Sequence, residues 1–225
     1  MSNLNQQQLA EQLQFYTDHI QQQLLPFWEK ALDRKNGGVY TCFDNQGENL
    51  ISKDKFTWSQ GRFLWLWSRL ASLFQKGTLV GDAEDYLEQA RRTYEFLEEH
   101  AFLPNGHVAF LLSETGEKKE PVPGQGYDTS FYADCFVILG YSEFARVSGD
   151  RTVFERALKQ YDQLVQRLKA GEVRSEPYPV PDGYEAHGYT MIMLNTTQEL
   201  ADTAEIKGWP HADRLRQQSV RYMDK

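Results

Sequence analysis

Apolar positions along the chain recur with a helical period over most of its length. Over residues 4–33, Leu9, Leu13, Tyr16, Ile20, Leu24 and Phe27 stand three or four apart, with Gln triplets between them. That is the pattern of an amphipathic helix with a solvated Gln-rich face, and Pro26 predicts a kink or break near its end. Residues 36–53 change character: Val39 to Phe43 favours strand, Asp44 to Gly47 supplies a turn, and a short hairpin is expected. Helices are then predicted over 57–76, with Gly77 as a stop, and over 82–100. Residues 102–117 repeat the hairpin signature, Gly38-Val39 to Gly47-Glu48 matching Gly106-His107-Val108 to Gly116-Glu117 at an offset of 68 or 69 residues. Further helices are predicted over 128–147, 151–168 and 189–206. Trp209-Pro210 opens a last one, still running at Lys225. The stretch 170–187, with three of the eight prolines, reads as a loop.

These seven helices alternate in kind. Those at 57–76, 128–147 and 189–206 are apolar nearly all round, as befits helices covered on both sides; those at 82–100 and 151–168 carry charged faces. Buried and half-exposed helices alternating at a period of about 65 residues predict an all-α fold of stacked helix pairs. The hairpins favour an α/α toroid over an open solenoid.

Composition narrows the classes. At 225 residues, 40% hydrophobic and 13% aromatic, the chain can bury a core, and its net charge of −8 argues against nucleic acid or an anionic membrane as the main partner. No apolar run approaches the ~20 residues that span a bilayer. Cys42 and Cys135 make no disulfide framework, and no Cys/His spacing suggests a metal. The expectation is a soluble cytoplasmic protein without metal or cofactor.

Chemistry-bearing residues gather where the covered helices begin: Phe56 to Arg62, Tyr127 to Asp134, and Tyr184 to Tyr189. In a toroid these three segments share one rim, and aromatics with a few polar groups in a concave site suit sugars. Arg62, amid Trp58, Phe63, Trp65 and Trp67, is expected to be buried, which demands an anionic partner or a functional reason. A salt bridge to Asp128 or Asp134 is one reading. Asp134 binds substrate, pairs with Arg62 or caps a neighbouring helix. Glu185 and His187 stand in the loop. His19, His100, His107 and His211 look peripheral.

From Thr57 to Trp65 the sequence TWSQGRFLW resembles the N-acylglucosamine 2-epimerase family and its cellobiose-epimerase and aldose–ketose isomerase relatives. Phe27-Trp28, the Gly37 to Tyr40 hairpin, Tyr132 to Phe136 and Met191 to Asn195 extend the likeness over essentially the whole chain. The resemblance implies an (α/α)6 barrel of twelve helices, of which about seven are present here, in one apparently incomplete domain. It implies sugar C2 epimerisation or aldose–ketose isomerisation by proton transfer next to the carbonyl, with Arg62 on the oxyanion. Trp58, Gln60, Tyr132 and Asp134 would lie at or near a mono- or small oligosaccharide substrate. Met191 and Asn195 would face the pocket, and His187 is carried as a further binding candidate. The acid and base histidines are expected beyond residue 225. Ile192 falls near a further histidine of the isomerase and cellobiose branches, which favours the monosaccharide-epimerase branch.

Three functional readings follow: an epimerase or isomerase; a glycoside hydrolase or lyase using Asp128, Asp134 or Glu185; and a non-catalytic sugar-binding or assembly module. Half a toroid exposes apolar edges, so the chain is expected to be part of a longer protein, to close a ring as a homodimer, or to be a degenerate relative.

Overall fold

The computed structural model describes residues 5–181 and 183–224. The first helix begins at Asn5, whose side chain accepts from the Gln8 amide while Gln8 bonds back, a complete capping box. It runs as α1 (Gln6–His19), a widened turn (Ile20–Leu24) and α2 (Leu25–Lys30). In the widened turn the Leu25 amide reaches back five residues to the Ile20 carbonyl. The cause is next in line: Pro26 has no N–H to continue the ordinary ladder, so the expected kink takes the form of a π-turn.

Then come α3 (Thr57–Gln75), α4 (Ala83–His100), α5 (Tyr132–Ser148), α6 (Arg151–Ala170), α7 (His187–Lys207) and α8 (Ala212–Met223). Helices α3, α5 and α7 pack side by side as an inner row; α4, α6 and α8 each back onto the inner helix before them. The two rows end differently. The outer helices α4 and α6 carry side-chain caps, Asp82 and Asp150, whereas α3, α5 and α7, like the outer α8, have none. Their starts are met by backbone instead, as where the Thr57 amide donates to the Phe110 carbonyl at 2.9 Å.

The inner helices approach closely. A Cβ on Gly61 would strike the Phe136 backbone, and one on Gly140 would meet the Gly61 carbonyl oxygen at 2.6 Å. Only glycine allows α3 and α5 to touch there. Trp67, Leu64, Ile138, Tyr141 and Leu200 fill the core around this contact.

The internal repeat is real in three dimensions. After α2, Leu32 bridges Val39; after α4, Phe102 bridges Val108. The bonds correspond: Tyr40 to Ala31 and Ala109 to Ala101, each amide to carbonyl at 2.8 Å. Gly37, Gly38 and Gly106 supply the positive φ these turns need. Val39 therefore belongs to this turn, and the expected strand shrinks to β1 (Cys42–Phe43), paired with β2 (Leu50–Ser52). A second small sheet joins β3 (Lys55–Phe56), β4 (Leu111–Leu112) and β5 (Lys118–Lys119).

Helix boundaries shift where another partner wins. Helix α5 starts at Tyr132 rather than 128, because Thr129 to Phe131 pair with Arg174 to Glu176 of the next linker. Helix α8 starts at Ala212, past Pro210. The expected end points at residues 4 and 225 lie outside the described residues. Helix α1 buries none of its side chains, and Leu9, Leu13 and Tyr16 of its apolar stripe are exposed.

Candidate functional site

The three aromatic-rich segments do converge. Phe131 stacks edge-on to Tyr189 at 4.6 Å between centroids, Tyr132 lies 6.3 Å from Tyr189, and Trp58 packs on Phe110 at 4.8 Å. The Phe110 amide donates to the Tyr127 carbonyl. Burial pushes the Tyr132 hydroxyl's pKa up, keeping it a neutral hydrogen-bonding group.

Arg62 departs from expectation. It is exposed and has no ion pair among the described residues. Its guanidinium lies 3.6 Å from the Phe136 ring centre and 5.4 Å from that of Trp58. The close passage of α3 and α5 at Gly61 sets this up, since the next residue's side chain falls directly over Phe136. The surrounding rings displace water and lower the Arg62 pKa from its ordinary value, yet a guanidinium stays charged. Both proposed partners are engaged elsewhere. Asp128 Oδ2 lies 2.5 Å from His107 Nδ1, so His107 is less peripheral than its sequence position suggests. Asp134 faces the other way, into α6, accepting from Gln160 at 2.8 Å and Arg167 at 3.1 Å. It is fully buried there, its pKa raised to about 6 by desolvation, with Arg167 and Gln160 pulling against that rise.

Gln60 also has a different task. It is fully buried; its amide donates to the Val39 carbonyl and accepts from the Val39 amide, both at 2.8 Å. It clamps the hairpin rather than facing an open site.

On α7 the helical period separates the remaining candidates. Glu199 reaches toward α3, where Trp65 Nε1 donates to it at 3.4 Å and Arg69 lies 3.7 Å away. Asn195, exposed, stands one turn earlier on that face, and Ile192 a further turn back. Met191, also exposed, stands one turn before Asn195 on the helix. His187 is directed elsewhere: it lines a groove between α6, α7 and α8. Sequence reasoning passed over Phe136; its signal is the four-residue step from Tyr132 on an otherwise buried helix. The axial face thus gathers Trp58, Arg62, Tyr132, Phe136 and Asn195. Asp128 is paired with His107, Asp134 is buried against Gln160 and Arg167, and Glu185 lines the α6–α8 groove, whereas glycoside hydrolysis needs two carboxylates flanking the scissile bond. No cluster of metal-binding side chains occurs among the described residues.

The N-acylglucosamine 2-epimerase of Rattus norvegicus is 26% identical over 212 residues, covering 87% of this chain and 46% of the relative. The cellobiose 2-epimerase of Bacteroides fragilis is 29% identical over 181 residues, covering 80% of this chain and 40% of that protein. This chain is homologous to the sugar 2-epimerases. It spans about half the length of these curated relatives. The solved cellobiose 2-epimerase of Spirochaeta thermophila superposes with a TM-score of 0.74 at 19% identity, covering 98% of this chain and 54% of that one. The fold of this epimerase homologue is thereby the (α/α)6 barrel type, all-α with short hairpins in its loops. No protein-family model matches the chain. No helix among the described residues is long and apolar enough to cross a membrane.

Proposed function

We propose that this chain supplies the oxyanion-stabilising arginine and the aromatic wall of a sugar C2 epimerase acting on an N-acylglucosamine-like monosaccharide. The observation that carries the reading is Arg62: an uncommitted cation over Phe136, on the face shared by the inner helices. Removing the proton beside a sugar's carbonyl places negative charge on oxygen. A planar, permanently charged donor already in position lowers that barrier without reorganising. Trp58, Tyr132 and Phe136 offer ring faces for the sugar's C–H surfaces, and Asn195 offers an amide for a hydroxyl.

Proton transfer at C2 also needs an acid and a base. Of the described histidines, His107 pairs with Asp128 and His187 lines the α6–α8 groove. The proposal places the acid and base outside these 225 residues, in further polypeptide or in a second copy closing a ring. The exposed stripe of α1 supports such an association. A cytoplasmic setting belongs to the same reading, supported by two unpaired cysteines.

The test is solvent deuterium exchange at C2 of an N-acylglucosamine and of cellobiose, followed by proton NMR. Arg62→Ala is expected to slow exchange by about 10²–10³-fold, and Arg62→Lys to restore part of it. Unchanged exchange in Arg62→Ala removes the assigned role. Sugar binding that needs Arg62 but comes without exchange favours the second reading, a binding module, for which the engagement of His107 and His187 elsewhere is the supporting observation.

A further inference from the structure

The first two helix pairs are sealed the same way; the third is not. The hairpin after α2 sets Gly37 and Gly38 against Arg92 and Phe96 of α4, with Gln60 of α3 clamped on Val39. The hairpin after α4 sets Gly106 against Gln163 of α6, and Gln160 donates to the Gly106 carbonyl at 3.0 Å. Each plugs the space between an inner helix and the outer helix behind it with Leu32 and Val39, or Phe102 and Val108. By that rule residues after α6 belong between α7 and α8. They go elsewhere: Gly171 turns the chain off α6, and Arg174 to Glu176 pair with Thr129 to Phe131.

What remains is a groove of about 900 Å³ between α6, α7 and α8. A second cavity of about 420 Å³ shares Val165, Lys169 and Gln218 with it, so the two adjoin. The groove's walls are not those of an unfilled apolar socket. They present the rings of Tyr184, Tyr189 and Tyr222, with Lys169, Glu185 and Thr190 between them. In the sealed units the polar wall groups Gln60 and Gln160 are engaged by hairpin backbone. Here, among the described residues, no hairpin engages Lys169, Glu185 or Thr190.

We infer that this groove is a second carbohydrate site, sized for a disaccharide, on the far side of α7 from Arg62. Flat phenol rings match the C–H faces of pyranoses, and a mixture of donors and acceptors with little net charge matches their hydroxyls. The volume lies in the range of small-molecule sites. The two sites adjoin at Tyr189, which lines the groove and meets Phe131, and diverge along α7: Thr190 and Met193 line the groove, whereas Glu199 meets Trp65 and Arg69 of α3. The inference takes its ligand class from the lining and does not depend on turnover at the axial face.

The test is calorimetric titration of cellobiose into the full chain, wild type and three variants. Tyr184→Ala and Lys169→Ala alter the groove, and Arg62→Ala alters the axial face. Tyr184 is 74% exposed, so its truncation leaves the fold intact. Binding that persists in Arg62→Ala and weakens about tenfold in Tyr184→Ala is expected. Wild-type affinity in both groove variants overturns the inference, as does binding lost in Arg62→Ala alone, which confines sugar to the axial face. No cellobiose binding by any form overturns it too, and leaves the C2 exchange assay to decide the role of Arg62.

Discussion

Two of the buried carboxylate–cation pairs among the described residues have acids that titrate in opposite directions. Asp33 meets Lys55 at 2.7 Å; Asp134 meets Arg167 at 3.1 Å. Both acids are almost wholly buried. Burial pushes the Asp33 pKa up, but Lys55 and Asn36 together bring it below the usual carboxylate range. Asp134 rises to about 6. The difference is in how many donors each acid meets. Asp33 accepts on Oδ1 from the Lys35 and Asn36 amides and on Oδ2 from Asn36 Nδ2 and Lys55 Nζ. Asp134 receives Gln160 and Arg167 on Oδ1, and its Oδ2 has no partner. Desolvation raises the pKa of any buried carboxyl; each hydrogen bond to the charged form lowers it, and the count decides.

The cations differ as well. Lys55 Nζ uses three donors, on Asp33, the Gly37 carbonyl and the Glu114 carbonyl, and lies 4.2 Å from the Phe96 ring centre. Arg62 lies at a similar distance over Phe136 and is bound to no carboxylate. The first is a staple between two hairpins. The second is a cation with no carboxylate partner among the described residues.

The largest break in this comparison is expected from Lys55→Met. It leaves Asp33 charged and buried without its cation, which costs about 3–5 kcal/mol, and urea denaturation reads it directly. Next is the pH dependence. Asp134 has a folded pKa of about 6 against an ordinary 3.8, so the native state holds its proton longer than the unfolded chain. Stability therefore falls as pH rises from about 4 through about 6, by about 3 kcal/mol in all. Asp33 has the opposite sign: its contribution is present above the unfolded pKa and is lost as pH falls below about 4. Asp134→Asn is expected to flatten the profile between pH 4 and 7; equal slopes in variant and wild type would remove Asp134 from the account.

Gln60→Ala comes third. It strips the partners from both the amide and carbonyl of buried Val39, for about 1–3 kcal/mol, and distinguishes a clamp from a substrate ligand. A Gln60→Ala protein of unchanged stability that has lost sugar binding would reverse the assignment. The smallest effect on stability belongs to Arg62→Ala, within about 0.5 kcal/mol, because an exposed, unpaired cation holds nothing together. A melting temperature well below wild type would mark Arg62 as structural.

Helix order, the alternation of covered and half-exposed helices, and the repeated hairpins were all legible in the residue pattern. Periodicity and glycine turns are local properties, and they survived folding nearly unchanged. The convergence of Trp58, Tyr132 and Tyr189 followed from the same pattern, since helices entering one layer in the same direction begin at one end. The sequence could mark Arg62, Asp134, Gln60 and His187 as unusual; it could not say what each one touches. That depends on rotation about the helix axis and on which backbone arrives alongside. Gly61 lets α3 lie against α5 and turns Arg62 over Phe136, whereas the two-residue step from Asp134 to Phe136 turns the acid toward α6. The exposed stripe of α1 and the open groove behind α7 were equally beyond local reading. A pattern of residues determines which face is apolar, and only the packing of the whole chain decides whether anything covers it.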